Sequence, residues 1–343
     1  MRIAIVNDLA LAREVLRRLV ASTPGNAVAW QAEDGDEAVR RAAADRPDVI
    51  LMDLVMPRLN GVEATRQIMR SSPCPILVVT STVTGNYELV IRAMGAGALD
   101  AVETPTLGAD GAVVNGEKLV ARLAKLRAAL GDVTRSWLAA PAPCPVPPPS
   151  RSAPPLVLLG ASTGGPDALG VVLSAFRPGF PAPVVVAQHI GAEFTPGLVQ
   201  QLALRSALPV RIARDGERPT PGTVLVAASD DHLELACDGT LRYTPVPVNY
   251  PYRPSVDVLF SSASVSWPRP GVAVLLTGMG TDGAAGLGQL NAAGWYTIAQ
   301  NEGTCVVYGM PRAAAELGAA SEVVPLPQIG LAVAAHVHAM QKR

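Results

Sequence analysis

Three side chains suited to hydrolytic chemistry follow apolar runs in the second half of the sequence. Ser162 lies in "LVLLGASTGG", His189 follows "PVVVAQ", and Asp282 lies in "GVAVLLTGMGTDG". A histidine can remove the proton of a serine hydroxyl, and a carboxylate behind the histidine orients the ring and stabilises its charged form. This set of residues predicts a serine nucleophile activated by a general base.

Each of the three residues also has a simpler interpretation. The glycines around Ser162 suit a phosphate-binding loop or only a sharp turn, His189 could be structural, and Asp282 could cap a helix. The apolar runs nevertheless predict parallel strands whose carboxyl ends share one edge of a sheet. We favour the hydrolytic interpretation because three separate strands would deliver a serine, a histidine and an acid to that edge.

A second group of polar residues ends the strand-like runs of the first half. Asp8 ends "IAIVND", Asp53 ends "VILMD" and Thr80 ends "PILVVT". Two carboxylates near a hydroxyl suit Mg²⁺, and with the cation bound one carboxylate could accept a phosphoryl group. The alternative is that both acids only cap the loops that follow them.

The elements that must position these residues alternate along the chain. In the first half, short apolar runs are followed by helical patterns, the last of which is the amphipathic "EKLVARLAKLRAAL" at 117–130. Apolar strands without alternation indicate a parallel sheet that is covered on both faces. The second half repeats this pattern with longer connections, which predicts a second doubly wound α/β domain.

A proline-rich stretch separates the two halves. Residues 139–155 read "AAPAPCPVPPPSRSAPP", in which eight of seventeen residues are proline. Such a segment disfavours helices and central strands and favours an extended spacer. We therefore predict an N-terminal domain at 1–125, a helix end and linker at 126–155, and a C-terminal domain at 156–343.

Composition narrows the class of protein. The 343 residues suffice for two ordinary domains, and 28 Lys and Arg against 29 Asp and Glu predict no nucleic-acid partner. Four widely spaced cysteines without C-x-x-C spacing favour free thiols in a reducing cytoplasm. The N terminus runs directly into a strand, and no run approaches ~18 apolar residues, so we expect a soluble cytoplasmic protein without membrane insertion.

With "LMDLVMPRLNG" around Asp53, and Thr80 after an apolar strand, the first 125 residues resemble a two-component receiver domain. The resemblance implies a flavodoxin-like fold with a five-stranded parallel sheet. It also implies that Asp53 is the phosphoacceptor, that Asp8 and Asp53 hold the Mg²⁺ needed for phosphorylation, and that Thr80 senses the phosphoryl group. Receivers usually carry a second acid where this chain has Asn7, and a lysine where it has Thr104. We therefore expect weaker Mg²⁺ binding and a missing counter-charge.

The motifs "GASTGG", "QHI", "TGMGTDG" and "YRPSVDVLF" together resemble the chemotaxis protein-glutamate methylesterase family, in which a linker joins a receiver to a serine esterase. The resemblance implies hydrolysis of glutamate methyl esters on the cytoplasmic helices of methyl-accepting receptors, and deamidation of glutamines there. It further implies phosphorylation by a sensor histidine kinase, catalysis without a cofactor, and an oxyanion hole formed by the N–H groups of Thr163 and Met279. The "IVND" start and the lysine-free "VETP" are more similar to the branch that controls a diguanylate cyclase in surface sensing.

Other interpretations remain at this point. Arg253 in "YRPSVDVLF" could bind acidic side chains of the substrate or form a structural ion pair. The pattern G-x-S-x-G also fits an α/β-hydrolase, which would recruit His336 or His338 instead of His189. A phosphorylation-gated binding protein with a vestigial esterase is a third possibility, from a different class.

Overall fold

The computed structural model describes residues 1–81, 87–108, 112–131, 153–248, 250 and 252–341, without the side chains of 128–131. The chain divides into two compact units, Met1–Asp132 and Val133–Arg343. Residues 132–152 of the predicted helix end and linker lie outside the described residues. The domain boundaries placed at 125 and 155 therefore stay predictions.

The N-terminal unit contains a five-stranded parallel sheet in the order β2-β1-β3-β4-β5, which confirms the predicted receiver architecture. Its apolar runs are buried on both faces of the sheet, as helix-covered parallel strands require. The elements are β1 Arg2–Val6, α1 Ala10–Ser22, β2 Ala27–Ala32, α2 Gly35–Ala44, β3 Val49–Met52, α3 Gly61–Ser71, β4 Ile76–Thr80, α4 Tyr87–Ala96, β5 Asp100–Glu103, β6 Thr106–Leu107, β7 Val113–Val114 and α5 Glu117–Gly131.

The C-terminal unit contains a seven-stranded parallel sheet in the order β10-β11-β9-β8-β14-β15-β16, which confirms the doubly wound α/β/α prediction. A separate antiparallel hairpin is formed by β12 and β13. The elements are β8 Val157–Ala161, α6 Gly165–Ser174, β9 Val184–Gln188, α7 Thr195–Arg205, β10 Val210–Ile212, β11 Val224–Val226, β12 His232–Leu235, β13 Leu241–Thr244, α8 Val256–Ser266, β14 Val272–Leu275, α9 Ala284–Ala292, β15 Tyr296–Gln300, α10 Met310–Glu316, β16 Glu322–Val324 and α11 Leu326–Gln341.

The central strands of the second sheet are held in place by a densely packed core. Every residue of β8, β9 and β14 is buried, and a core cluster joins these strands to α8 and α9 through residues such as Val256, Phe260 and Leu287. The interior of such a cluster is packed as densely as an organic crystal, so the strand ends cannot shift independently. Side chains placed at those ends are held in fixed relative positions.

Two further expectations can be compared with the structure. Among the described residues, no helix has both the length and the apolar character needed to cross a bilayer. Cys74 and Cys305 are free, and burial raises the pKa of Cys74 to about 11 and that of Cys305 to about 12, so both are neutral thiols. Cys237 is disulfide-bonded, which differs from the expectation of free thiols throughout.

Candidate active site

The carboxyl ends of three adjacent parallel strands carry the predicted hydrolytic residues. Within the order β9-β8-β14, His189 follows β9, Ser162 follows β8, and Asp282 lies in the loop between β14 and α9. Parallel strands present their carboxyl ends at one edge of the sheet, which is where ligands bind in open α/β folds. The fold therefore brings the three residues to the same edge.

Ser162 lies in a tight turn between β8 and α6 and is 5% exposed. The Gly165 N–H donates to the Ser162 carbonyl at 2.8 Å, and Gly164 has a φ of 78°, a left-handed conformation that favours glycine. A Cβ on Gly278 would lie 2.7 Å from the Ser162 Cβ, so the loop after β14 approaches the serine closely only because it has glycine there. The turn and the loop together fix the serine backbone.

Two buried polar side chains tie this turn to its neighbours. Gln188 Nε2 donates to the carbonyls of Ser162 at 2.9 Å and of His189 at 3.0 Å. Thr277 Oγ1 donates to the Thr163 carbonyl at 2.9 Å, and the Thr277 carbonyl accepts the Ser162 N–H at 3.0 Å. These bonds link the ends of all three strands, which limits their relative motion.

His189 is held by a carboxylate on one side of its ring and by an aromatic ring on its face. Its Nε2 lies 2.6 Å from Asp282 Oδ2, and it stacks on Tyr252 with ring centroids 4.3 Å apart and planes inclined by 3°. Its Nδ1 is buried and has no hydrogen-bond partner among the described residues. Because the Asp282 carboxylate accepts a hydrogen bond from Nε2–H, the neutral ring carries its lone pair on Nδ1. Nδ1 is therefore the nitrogen available as a base.

Asp282 is buried and accepts five hydrogen bonds. Its Oδ2 accepts from His189 and from the Val256 N–H at 2.8 Å, and its Oδ1 accepts from Ser255 Oγ at 2.9 Å, the Asp257 N–H at 3.0 Å and Tyr250 Oη at 3.0 Å. Burial by itself raises the pKa of this carboxyl, but the bonds from His189 and the main chain outweigh it and hold the pKa below its usual range. Asp282 is therefore ionised and fixed in orientation.

The donors for an oxyanion are main-chain groups beside the serine. The N–H groups of Thr163 and Met279, named as the oxyanion hole by the family resemblance, have no hydrogen-bond partner among the described residues. Thr163 follows the serine directly, and Met279 follows Gly278, the residue in close contact with it. Unpaired N–H groups at such positions can stabilise a negative oxygen.

Three residues of this site were missed from the sequence. Tyr250, Tyr252 and Ser255 contact His189 or Asp282, and all lie in or beside "YRPSVDVLF", a motif in which only Arg253 was considered as a site residue. The motif itself was the available signal. Its connection to Asp282 depends on how the loop before α8 folds against the loop after β14, which no local pattern specifies.

Arg253 has partners that favour its structural alternative. Its guanidinium donates to the carbonyls of Asp230, Pro245 and Val248 and lies 3.7 Å from the carboxylate of Asp231. An arginine that binds substrate carboxylates would need free donors directed at the substrate. The observed contacts instead hold the main chain of residues 245–248 in place, just before Tyr250.

The two histidines of the α/β-hydrolase alternative are engaged elsewhere. His336 stacks on Tyr296, with ring centroids 3.4 Å apart, and His338 Nδ1 lies 2.7 Å from the Ala334 carbonyl within α11. The partner of Asp282 is His189. The geometry therefore does not support a triad that uses the terminal helix.

In the N-terminal unit, the predicted pocket residues also follow adjacent strands. Asp53 follows β3, Asp8 lies just after β1, and Thr80 ends β4 and is buried. Asp53 Oδ1 accepts the Leu54 N–H at 2.7 Å, and its Oδ2 accepts from Asn7 Nδ2 at 2.9 Å. Burial and, to a smaller extent, the charge of Asp8 raise the pKa of Asp53 to about 6.

This pocket fits a hard divalent cation. The partners observed on Asp53 are neutral N–H donors, so the pair of carboxylates carries an uncompensated negative charge. Mg²⁺ prefers one or two carboxylates completed by water and carbonyl oxygens. The described residues contain no group of three or more His, Cys, Asp or Glu side chains suited to a metal. At the position where receivers carry lysine, the Thr104 N–H donates to the Thr80 carbonyl at 2.9 Å.

Comparisons with known proteins agree with both halves of this description. The family model "CheB methylesterase" matches residues 157–333, and "Response regulator receiver domain" matches residues 3–109. The chain is 52% identical to protein-glutamate methylesterase/protein-glutamine glutaminase 4 of Burkholderia thailandensis, over 96% of this chain and 95% of that protein. It is 49% identical to a protein of the same description from Burkholderia lata, over 98% and 99% of the two chains.

Similarity to a solved structure covers the C-terminal unit. The crystal structure of the Thermotoga maritima CheB methylesterase catalytic domain matches with a TM-score of 0.51 and 36% identity, over 54% of this chain and 99% of that one. Identity of this extent, spanning the receiver and the catalytic unit, goes well beyond a shared fold. The chain belongs to the CheB methylesterase family and carries a receiver domain ahead of its catalytic domain.

Proposed function

We propose that this protein is a phosphorylation-regulated protein-glutamate methylesterase in which Ser162 is the nucleophile, His189 the general base and Asp282 the residue that orients the base. One observation carries the proposal. His189 Nε2 is bonded to the buried, ionised Asp282, and its Nδ1 is left without a partner at the edge that carries Ser162. A histidine held in this way is prepared to accept the serine proton.

The reaction follows from these positions. Ser162 Oγ attacks the γ-carbonyl of a glutamate methyl ester while His189 Nδ1 takes the hydroxyl proton, and Asp282 stabilises the resulting imidazolium. The proton then passes from Nδ1 to the departing methanol. In the second half, His189 removes a proton from water, the hydroxide attacks the acyl-enzyme, and Ser162 is regenerated. The free acid is the other product.

The tetrahedral intermediates carry a negative oxygen in both halves. We assign its stabilisation to the N–H groups of Thr163 and Met279, each contributing about 3 kcal/mol to the transition state. Thr163 Oγ1 is also buried and has no hydrogen-bond partner among the described residues. The hydrolysis then uses only side-chain and main-chain groups of this chain, with no cofactor.

The relatives named protein-glutamate methylesterase/protein-glutamine glutaminase suggest the substrate class. Ester and amide substrates differ only in the leaving group on the same γ-carbonyl. Here the substrates are the cytoplasmic helices of methyl-accepting receptors, with methylated glutamate as ester and glutamine as amide. The protein accordingly acts in the cytoplasm.

The receiver supplies regulation. A sensor histidine kinase donates a phosphoryl group to Asp53, Asp8 and Asp53 hold the Mg²⁺ that offsets the phosphoryl charge, and Thr80 contacts the modified group. Phosphorylation then shifts the population of the protein towards a more active form. Assignment to the branch that controls a diguanylate cyclase stays a prediction from Asn7 and Thr104.

The test is release of methanol from receptors that carry labelled methyl esters. Addition of the full chain should release labelled methanol, and ammonia should be released from receptors with glutamine at the same sites. Receptors without methyl esters are the matched control for methanol. A folded chain that releases neither product would contradict the proposal and favour a binding protein with a vestigial esterase.

A further inference from the structure

A buried tyrosine bridges two carboxyl groups behind the catalytic pair. Tyr250 Oη lies 2.8 Å from Asp257 Oδ2 and 3.0 Å from Asp282 Oδ1, and all three side chains are buried. A phenol carries one hydrogen, so it donates to only one carboxyl oxygen at a time. If both acids were ionised, one of these short contacts between oxygens would contain no proton. That arrangement is unfavourable where water cannot compensate.

The surrounding hydrogen bonds decide which acid keeps a proton. Apart from Tyr250, Asp282 accepts from four donors, whereas Asp257 accepts only the Gly286 N–H, at 2.7 Å, among the described residues. Burial raises the pKa of Asp257 to about 8, and the charge of Asp282 adds to this effect. Asp282 is therefore far better supported as an anion than Asp257 is.

We propose that Asp257 is a neutral carboxylic acid in the working enzyme and acts as a positioning residue. Its Oδ2–H donates to Tyr250 Oη, and the Tyr250 O–H donates to Asp282 Oδ1. This inference rests on the proposed role of Asp282 in catalysis. The two bonds hold the Asp282 carboxylate in the plane that meets His189, and they stay in place during turnover while the serine proton moves on the other side of the imidazole.

Among the described residues, the titratable side chains beside this chain of bonds include His189, His232 and Tyr252, and the charges of Arg253 and Asp231 act on His232. His232 meets the Tyr250 ring edge-on at 5.9 Å and accepts the Ser255 N–H on Nδ1, and burial lowers its pKa, so it remains neutral. Ionisation of Asp257 adds a second negative charge beside Asp282 and draws the Tyr250 hydrogen away from it. Activity should therefore fall as Asp257 ionises.

The activity test compares two replacements in the full chain. Asp257→Ala removes the donor to Tyr250, and kcat should fall by up to about tenfold, the net cost of losing one hydrogen bond between neutral groups. Asp257→Asn retains a donor for Tyr250 and an acceptor for the Gly286 N–H, so kcat should return to within threefold of the parent. Asp238→Asn, in the exposed turn between β12 and β13, is the matched control.

The pH profile gives a readout that a purely structural role would not move. The parent should lose activity at weakly alkaline pH, and Asp257→Asn should retain activity there because it has no proton to lose. Tyr250→Phe removes the connection between the acids and should lower kcat while leaving KM within twofold. Thermal unfolding of each variant establishes that it is folded at the assay temperature.

An infrared difference spectrum measures the proton directly and needs no substrate. At neutral pH, the parent minus Asp257→Asn spectrum should contain the C=O stretching band of a protonated carboxylic acid. This band would persist even if the chain hydrolysed no ester, so failure of the proposed function is distinguishable from failure of this inference. Absence of the band, or an Asp257→Asn variant as impaired as Asp257→Ala, would overturn the neutral acid.

Discussion

The central acids of the two units, Asp53 and Asp282, both follow parallel strands but are held in opposite ways. Asp282 is buried and accepts five hydrogen bonds, and the bonds from His189 and the main chain keep its pKa below the usual range. Asp53 is half-buried and accepts from main-chain N–H groups and the Asn7 amide, and burial raises its pKa to about 6. One carboxylate is saturated with partners, and the other retains unused acceptor capacity next to Asp8.

The difference corresponds to two uses of a carboxylate. A group that orients a histidine and remains charged throughout a reaction benefits from many donors, because each one favours the anion and fixes its plane. A group that binds a cation and forms a bond to phosphorus needs free lone pairs and an open approach. A carboxylate that follows a strand is thus suited to orienting a base in one unit and to reacting with a ligand in the other.

The largest expected effect is at the sheet edge that carries Ser162 and His189. Ser162→Ala and His189→Ala should each lower kcat by about 10⁴-fold or more, and the double variant should be scarcely worse, because the residues act as a unit. Methanol release from methylated receptor measures this. Ser174→Ala, an exposed serine at the end of α6, is the control. A folded Ser162→Ala with near-parental kcat would show that this edge is not where the reaction occurs.

Asp282→Asn tests whether saturation with donors matters. The amide presents N–H to groups that themselves donate, so we expect kcat to fall about 10³-fold, less than for the serine variant, and the protein to be less stable. Turnover and thermal unfolding are the measurements. Asp257→Asn changes a second carboxyl group in the same hydrogen-bond network. It is therefore the most direct comparison for Asp282→Asn. If both variants lowered kcat by the same small factor, Asp282 would have no larger role in turnover than Asp257.

Asp53→Asn tests the reactive carboxylate. Basal methanol release should be retained, whereas the several-fold rise produced by a small phosphodonor with Mg²⁺ should disappear, since the amide cannot accept the phosphoryl group. Activity with and without the phosphodonor is compared for the parent and the variant. If the variant is activated as fully as the parent, Asp53 is not the regulatory site.

Asn7→Asp tests the charge of the receiver pocket. Asn7 is buried next to Asp8, so a further negative charge there should strengthen Mg²⁺ binding roughly tenfold. Calorimetric titration with Mg²⁺ measures this. The control is Asn115→Asp. Asn115 is exposed, and its neighbour Gly116 contacts Leu19 at the far end of α1. Unchanged affinity would mean that the cation does not lie beside position 7.

The smallest expected effect concerns Arg253. Arg253→Ala should lower the free energy of unfolding by about 1–2 kcal/mol through the lost bonds to loop carbonyls, with KM within twofold of the parent. Arg242→Ala, which removes an exposed arginine paired with Glu234 on the β12–β13 hairpin, is the control. A several-fold rise in KM at unchanged stability would restore the substrate-binding alternative.

The extent of successful prediction followed the length of the apolar runs. Fully buried strands such as β8 and β14 are visible in the sequence, because a parallel strand covered on both faces must be apolar throughout. The strand β15, whose sequence "YTIAQ" is interrupted by polar residues, the three-residue strands β10 and β16 at the sheet edges, and the β12–β13 hairpin were not predicted. Short, partly exposed strands carry too few apolar residues to stand out from loops.

The apolar runs alone indicate where the central strands end, and hence that Ser162, His189 and Asp282 share one edge, because parallel strands present all their carboxyl ends together. In contrast, the folded chain was needed to show which nitrogen of His189 meets Asp282 and that Tyr250 joins Asp282 to a second buried acid. The ends of the strands follow from local hydrophobicity, which can be recognised directly in the sequence. Hydrogen-bond partners depend on how separate loops approach within about 3 Å, and packing of the whole unit sets that distance.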